Sequence, residues 1–141
     1  MCLGIGCSTV DLGDNFIAPE RELDEDFFFC RIQPEVLAAQ SCASGADGEG
    51  GSCHSARSSL RLSVDGETDA PPPCDDSRVT GDVPSSYRDN LEAVRFTVGT
   101  DALSSPLYRR AVGLDSHPRV IFAEDSAEAQ LVAEWITRGG S

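Results

Sequence analysis

Residues 42–55 read CASGADGEGGSCHS, and the meaning of the remaining chain depends on them. Cys42 opens the stretch, Cys53 closes it, and His54 follows the second cysteine at once. A Cys-His pair after an earlier cysteine is the terminal pattern of covalent haem attachment. Two thiols can add to the two vinyl groups of a haem, and the imidazole beside the second thiol is then delivered to the iron. The usual spacer is two residues, whereas residues 43–52 make it ten here. Closing the longer loop costs roughly 1.4 kcal/mol more by the logarithmic loop law, which is small beside covalent and iron–nitrogen bonds. Gly45, Gly48, Gly50 and Gly51 let the backbone bulge outward while its ends meet. The same residues also suit a small-loop disulfide between Cys42 and Cys53 with His54 on the surface, or a zinc site, and the motif alone leaves these open.

At 141 residues and 15.0 kDa the chain has the length of one domain with one modest core. Its net charge of −13 and pI near 4.3 exclude nucleic acid phosphates as a natural partner and favour a basic docking surface on any protein partner. All eleven basic residues are Arg, so a P-loop lysine, a Schiff-base lysine and a lysine iron ligand are ruled out together. Six cysteines in so short a chain indicate an oxidising compartment. Residues 1–7, MCLGIGC, read as the tail of an export signal whose front end precedes residue 1. Leu3-Gly4-Ile5-Gly6-Cys7 resembles a bacterial lipobox, with Cys7 as the lipidated residue and Gly4 as an atypical member. Residues 8–21 are polar, lack periodicity and read as a tether, leaving 22–141 as the folded part.

Residues 24–40 form the first helical pattern. Asp24, Glu25 and Asp26 suit the positive end of a helix, and Phe28, Ile32 and Val36 recur at helical spacing. Pro34 is expected to kink this helix or to start a second one. Phe27, Phe28 and Phe29 are too apolar for one face and belong in a core. Leu60, Leu62 and Val64 alternate with polar residues, which predicts a short extended segment ending at Asp65-Gly66. PPPCDD, residues 71–76, is a stiff loop presenting Cys74. A helix is expected over 85–98 with a serine cap, its Tyr87, Leu91, Val94 and Val98 on one face. Ser105 then caps a short helix with Pro106 at its first position. The last helix starts from an Asp125/Glu128 capping box and buries Leu131, Val132, Trp135 and Ile136. The fold class is mostly α with long loops and at most a short strand pair.

If iron is bound, His54 occupies one axial position. The second donor can only be His117, water or nothing, because lysine is absent and Met1 is the sole methionine. Arg57 and Arg61, just beyond His54, would pair with propionates through bidentate guanidinium geometry, or are simply solvated. If Cys42 and Cys53 hold haem, then Cys30 and Cys74 remain to be joined as a disulfide; without haem the four cysteines allow three pairings.

Residues 28–37, FFCRIQPEVL, followed by Cys42 and Cys53-His54, resemble the opening of short monohaem c-type cytochrome domains from bacterial envelope proteins. Ser105-Pro106-Leu107-Tyr108, His117, and Trp135-Ile136-Thr137-Arg138-Gly139 resemble the end of such domains. The likeness lies in scattered blocks over about two-thirds of the chain. It implies a cytochrome-c-like helical fold, one covalent haem c on Cys42 and Cys53, His54 as the proximal and His117 as the distal ligand. It further implies an electron carrier rather than an enzyme, lipid-anchored on the periplasmic side of a bacterial membrane or at the cell surface, serving a redox partner protein or a larger envelope complex. Peroxide or gas chemistry would need an open distal site. The competing expectation is a haem-less, disulfide-stapled lipoprotein subunit of an envelope complex.

Overall fold

In the computed structural model, residues 21–45, 53–56 and 58–139 are described. The lipobox with Cys7, the tether up to residue 20, the interior of the glycine-rich spacer and Arg57 lie outside them. The architecture is mostly helical. Helix α1, Glu25–Phe27, runs without a break into a π-helical stretch, Phe28–Ala38. There follow α2, Cys53–Ala56; α3, Asp65–Thr68; α4, Ser85–Arg95; a 3₁₀ turn, Ala102–Ser104; α5, Pro106–Ala111; and α6, Ala127–Arg138. The one sheet among the described residues is an antiparallel pair of β1, Cys74–Asp75, and β2, Arg78–Val79, with Cys74 opposite Val79.

Pro34 neither stops nor divides its helix. An α-helix would press the proline ring against the carbonyl four residues back. The wider π register moves the bonding partner to the fifth residue, and the helix continues through. The helix ends in a Schellman cap, with Ser41 at a positive φ of 50°, the Ser41 amide donating to the Ala38 carbonyl and the Cys42 amide to the Leu37 carbonyl, both at 3.0 Å. Asp24 starts the run as expected, its carboxylate accepting from the Phe27 amide at 2.9 Å.

The three phenylalanines are all core, Phe28 completely so. They pack with Ile32, Val36, Leu91, Val94, Val132, Trp135 and Ile136. Each such side chain contributes roughly 1.5–3 kcal/mol when fully buried, so this cluster dominates the stability of the domain. The Phe28 and Trp135 ring centroids lie 5.2 Å apart, and the Trp135 indole N–H donates to the Asp24 carbonyl at 2.9 Å. Gly139 ends α6 against the incoming chain, where a Cβ would stand 2.7 Å from the Glu22 carbonyl oxygen. The N-terminal and C-terminal helices are thus packed together.

Several boundaries differ from the sequence reading. Ser126, not Asp125, caps α6, accepting from the Ala129 amide at 3.1 Å, and Leu131 is only partly buried while Ala129 is fully so. Helix α4 begins at Ser85 after Pro84 without a side-chain cap and stops at Arg95, which leaves Phe96 exposed. Ser105 does precede Pro106, but its hydroxyl serves other groups, accepting from the Gly99 amide and donating to the Asp101 carbonyl. Residues 60–64 are not a strand: the strand pair forms around Cys74, and Val64 leads into α3.

The disulfide is Cys30–Cys74, and it joins the π-helical stretch to β1 across 44 positions. A buried amide network adds a polar tie. The Gln33 amide N–H donates to the Gly66 carbonyl at 2.9 Å, the Asn90 amide N–H donates to Gln33 Oε1 at 3.1 Å, and the Ser63 amide donates to Asn90 Oδ1 at 2.6 Å. These bonds satisfy two buried side chains and fix residues 63–66, which follow the floor of the cleft described next.

Candidate functional site

Glu67 anchors the start of the glycine-rich stretch. Its Oε1 accepts from the Ala43 and Ser44 amides at 2.8 and 3.0 Å, and its Oε2 accepts from the Ser44 hydroxyl at 2.6 Å. The far end returns to the same place. The His54 amide donates to the Cys42 and Ala43 carbonyls, the Ser55 amide to the Ala43 carbonyl, and the Leu62 amide to the His54 carbonyl at 2.9 Å. The two ends of the ten-residue spacer therefore meet, and Cys42, Cys53 and His54 are brought to one wall of a cleft.

That cleft has a cavity volume of about 110 Å³ and opens to solvent. Apolar side chains from the π-helical stretch, α5, α6 and the loops after His54 and before α6 form most of its surface, among them Ile32, Val36, Leu60, Leu107, Phe122 and Val132. The apolar lining suits a mostly hydrophobic ligand. Cys42 and Cys53 are thiols here and are not joined to each other. Burial pushes the Cys42 thiol up to about 12, with Glu67 and Cys53 adding to the rise and Arg119 opposing it. A thiol so placed is not a thiolate at neutral pH, which makes it a poor redox sensor or hydrolytic nucleophile.

His54 and His117 face each other within the cleft. Their ring centroids are 5.9 Å apart and their planes lie within 22° of parallel. Each ring is held at Nδ1. The His54 Nδ1 lies 2.7 Å from the Ser58 hydroxyl, which itself donates to the Leu60 carbonyl at 2.7 Å. The hydroxyl proton is thereby used, so His54 Nδ1 carries the hydrogen and donates. The His117 Nδ1 lies 2.7 Å from the Arg119 carbonyl, which can only accept. Both rings thus carry their hydrogen at Nδ1, which leaves Nε2 as the atom available to a metal, the arrangement in which outer partners orient ligating histidines. Burial holds His54 below its ordinary value, with His117 and Arg110 adding to the depression against the Leu60 carbonyl. That favours the neutral, ligating form.

Two features of the cleft suit a haem. The His54 and His117 rings, 5.9 Å apart between centroids, are close enough for both imidazoles to meet one metal ion. The cleft places two thiols beside one of the imidazoles, as thioether attachment requires.

Arg57 lies outside the described residues, and Arg61 is not among the residues that line the cleft. Arg61 sits between Leu60 and Leu62, which both line the cleft, so the alternation of the extended chain turns Arg61 outward to solvent. Arg110 and Arg119 line the cleft instead. Arg119 also ties the two sides together, its guanidinium donating to the Gln40 carbonyl at 2.9 Å while its own carbonyl holds His117. A cation at the carbonyl end of a helix is favourable in its own right. Neither arginine carries a motif that sequence inspection could have found, because the fold brings them to the cleft from a segment remote from His54; Ser58 is local to His54, four residues on.

Helices among the described residues include none long and apolar enough to cross a membrane. No protein-family model matches the sequence, and neither curated proteins nor solved structures give a match.

Proposed function

We propose that this protein is a monohaem c-type electron carrier. The observation that carries the reading is the facing pair His54 and His117, each fixed at Nδ1, across an apolar cleft whose wall presents Cys42 and Cys53. Cys42 and Cys53 would hold the haem by thioether bonds, and His54 and His117 would ligate its iron. When bound, the haem supplies a reversible one-electron couple.

The chain's own part is to bind, orient and shield. Glu67 and the His54 amide keep the two thiols in register. Ser58 and the Arg119 carbonyl set the ring tautomers. The apolar walls exclude water, and two imidazole ligands would favour a lower potential than a histidine–methionine pair. Arg110 and Arg119 are placed to receive carboxylates at the rim. The Cys30–Cys74 disulfide is in keeping with an oxidising compartment, and attachment to a membrane through lipid on Cys7 completes the proposal. A redox protein, or an envelope complex containing one, is the partner.

The test is spectroelectrochemical. The protein made in a host that attaches haem c should show a reversible one-electron couple and no binding of carbon monoxide to the reduced form, while His117→Ala should gain carbon monoxide binding. A protein with no reversible couple and no visible absorbance refutes the proposal.

A further inference from the structure

His54 stands on α2 and His117 in the loop before α6, and both segments are fastened by bonds of their own. The Leu62 amide donates to the His54 carbonyl at 2.9 Å, which holds the chain after α2. The Ile121 amide donates to the Ala111 carbonyl at 2.8 Å, and the Arg119 guanidinium donates to the Gln40 carbonyl at 2.9 Å. These two bonds hold the His117 loop against α5 and against the end of the π-helical stretch. The rings are oriented at Nδ1 by the Ser58 hydroxyl and the Arg119 carbonyl, each at 2.7 Å. Both Nε2 atoms are therefore offered as donors by a frame already in place, with the ring centroids 5.9 Å apart and the planes within 22° of parallel. A pair preorganised in this way loses little freedom when an ion enters, and the cleft opens to solvent to admit one.

Imidazole nitrogen binds several first-row metal ions, so the surroundings decide among them. Two features of the cleft disfavour a divalent ion. Arg110 and Arg119 line it, and each repels a dication twice as strongly as a monocation. Most of the remaining wall is apolar, and the cost of taking an ion out of water rises with the square of its charge. Copper(I) carries a single charge, has a filled d shell and is stable with two nitrogen ligands on opposite sides. The thiols of Cys42 and Cys53, on the His54 wall, are soft groups of the class that selects copper(I) over hard ions.

We propose that the haem-free chain binds a copper(I) ion between His54 and His117. The site shares its imidazoles with the electron-carrier reading and does not depend on it. A chain that never carries haem would bind copper in the same way. Failure to bind copper would leave the carrier reading standing, because a haem brings further ligands of its own to the metal.

The test uses the full haem-free chain and copper(I), kept reduced by ascorbate under argon, in competition with the coloured chelator ferrozine. The parent should withdraw a single ion per chain, and X-ray absorption of the complex should show nitrogen neighbours in a linear arrangement. Ser58→Ala leaves both ligands in place but releases the His54 ring, so copper affinity should fall by roughly 10–100-fold. His117→Ala removes a ligand and should cost more than that, at unchanged circular dichroism. Cys42→Ser/Cys53→Ser should still take up its copper. Copper held equally well by the parent and by His117→Ala overturns the proposal, as does copper lost with the two thiols. Zinc(II) bound in preference to copper(I), or a parent that withdraws nothing from ferrozine, overturns it too. Copper uptake by the haem-free chain, with no haem couple from protein made in a haem-attaching host, upholds this site and removes the electron-carrier reading instead.

Discussion

Glu67 offers the sharpest test of how a ten-residue spacer is made compatible with a fixed pair of thiols. Its carboxylate accepts three hydrogen bonds from Ala43 and Ser44, at 2.6 to 3.0 Å, directly after Cys42. Hydrogen bonds to a charged group contribute roughly 1.5–3 kcal/mol each. They are not additive here, since the same carboxylate accepts all three and gives up water to do so. Glu67→Ala is therefore expected to destabilise the haem-free protein by about 2–4 kcal/mol, and Glu67→Gln, which keeps one acceptor oxygen, by about half as much. Equilibrium urea denaturation reads this directly. With a slope of about 1–3 kcal/mol per molar urea, the alanine variant should lower the midpoint by roughly 1–2 M at an unchanged slope. The loss should also reach the site, because the His54 amide bonds to the Cys42 and Ala43 carbonyls; the His54 ring resonance should broaden or move. A midpoint for Glu67→Ala within experimental scatter of the parent would show that the spacer is held by something other than this clamp.

Further outcomes follow from the same structure. Replacing Cys30 and Cys74 by serine removes a cross-link across 44 positions, which the chain-entropy model values at about 4 kcal/mol; calorimetry showing a loss below about 1 kcal/mol contradicts that assignment. Gly139→Ala puts a Cβ 2.7 Å from the Glu22 carbonyl oxygen and 3.0 Å from Leu23 Cα, both backbone atoms, so a cost of about 1–3 kcal/mol is expected in urea titration, and a neutral result would mean that the chain ends are not packed so closely. Arg119→Met removes the bond to the Gln40 carbonyl and should speed amide exchange at Ile121 and Phe122 by roughly tenfold with little change in global stability. Exchange at parental rates would show that the His117 loop is held by its remaining contacts.

The helical character of the chain was legible because apolar residues recur at helical spacing and because caps and glycines punctuate them. The buried stripe of α6 and the three phenylalanines follow from those patterns directly. What the sequence hid is of another kind. Pro34 carries a strong local signal against helix, yet tertiary burial of Ile32, Gln33 and Val36 on the same turn keeps the helix intact by changing its hydrogen-bond register. Leu60 and Leu62 do turn to the cleft as their alternation suggests, but residues 60–64 have no partner strand and so form none. Cys42, Cys53 and His54 stood out through spacing, and His117 through being the one other histidine. Glu67 and Arg119 could not, since their roles depend on which remote carbonyls and amides the fold brings within reach, while Ser58, only four residues from His54, has no pattern of its own that marks it.

The account rests on Cys42 and Cys53 sharing a macrocycle, and peptide mass mapping of protein from a haem-attaching host tests this most directly. Proteolysis without reduction should yield the Cys42 and Cys53-His54 peptides joined through one haem, together with a separate Cys30–Cys74 disulfide pair. Recovery of Cys42 and Cys53 as thiols, or bonded to each other, in a colourless protein would contradict it.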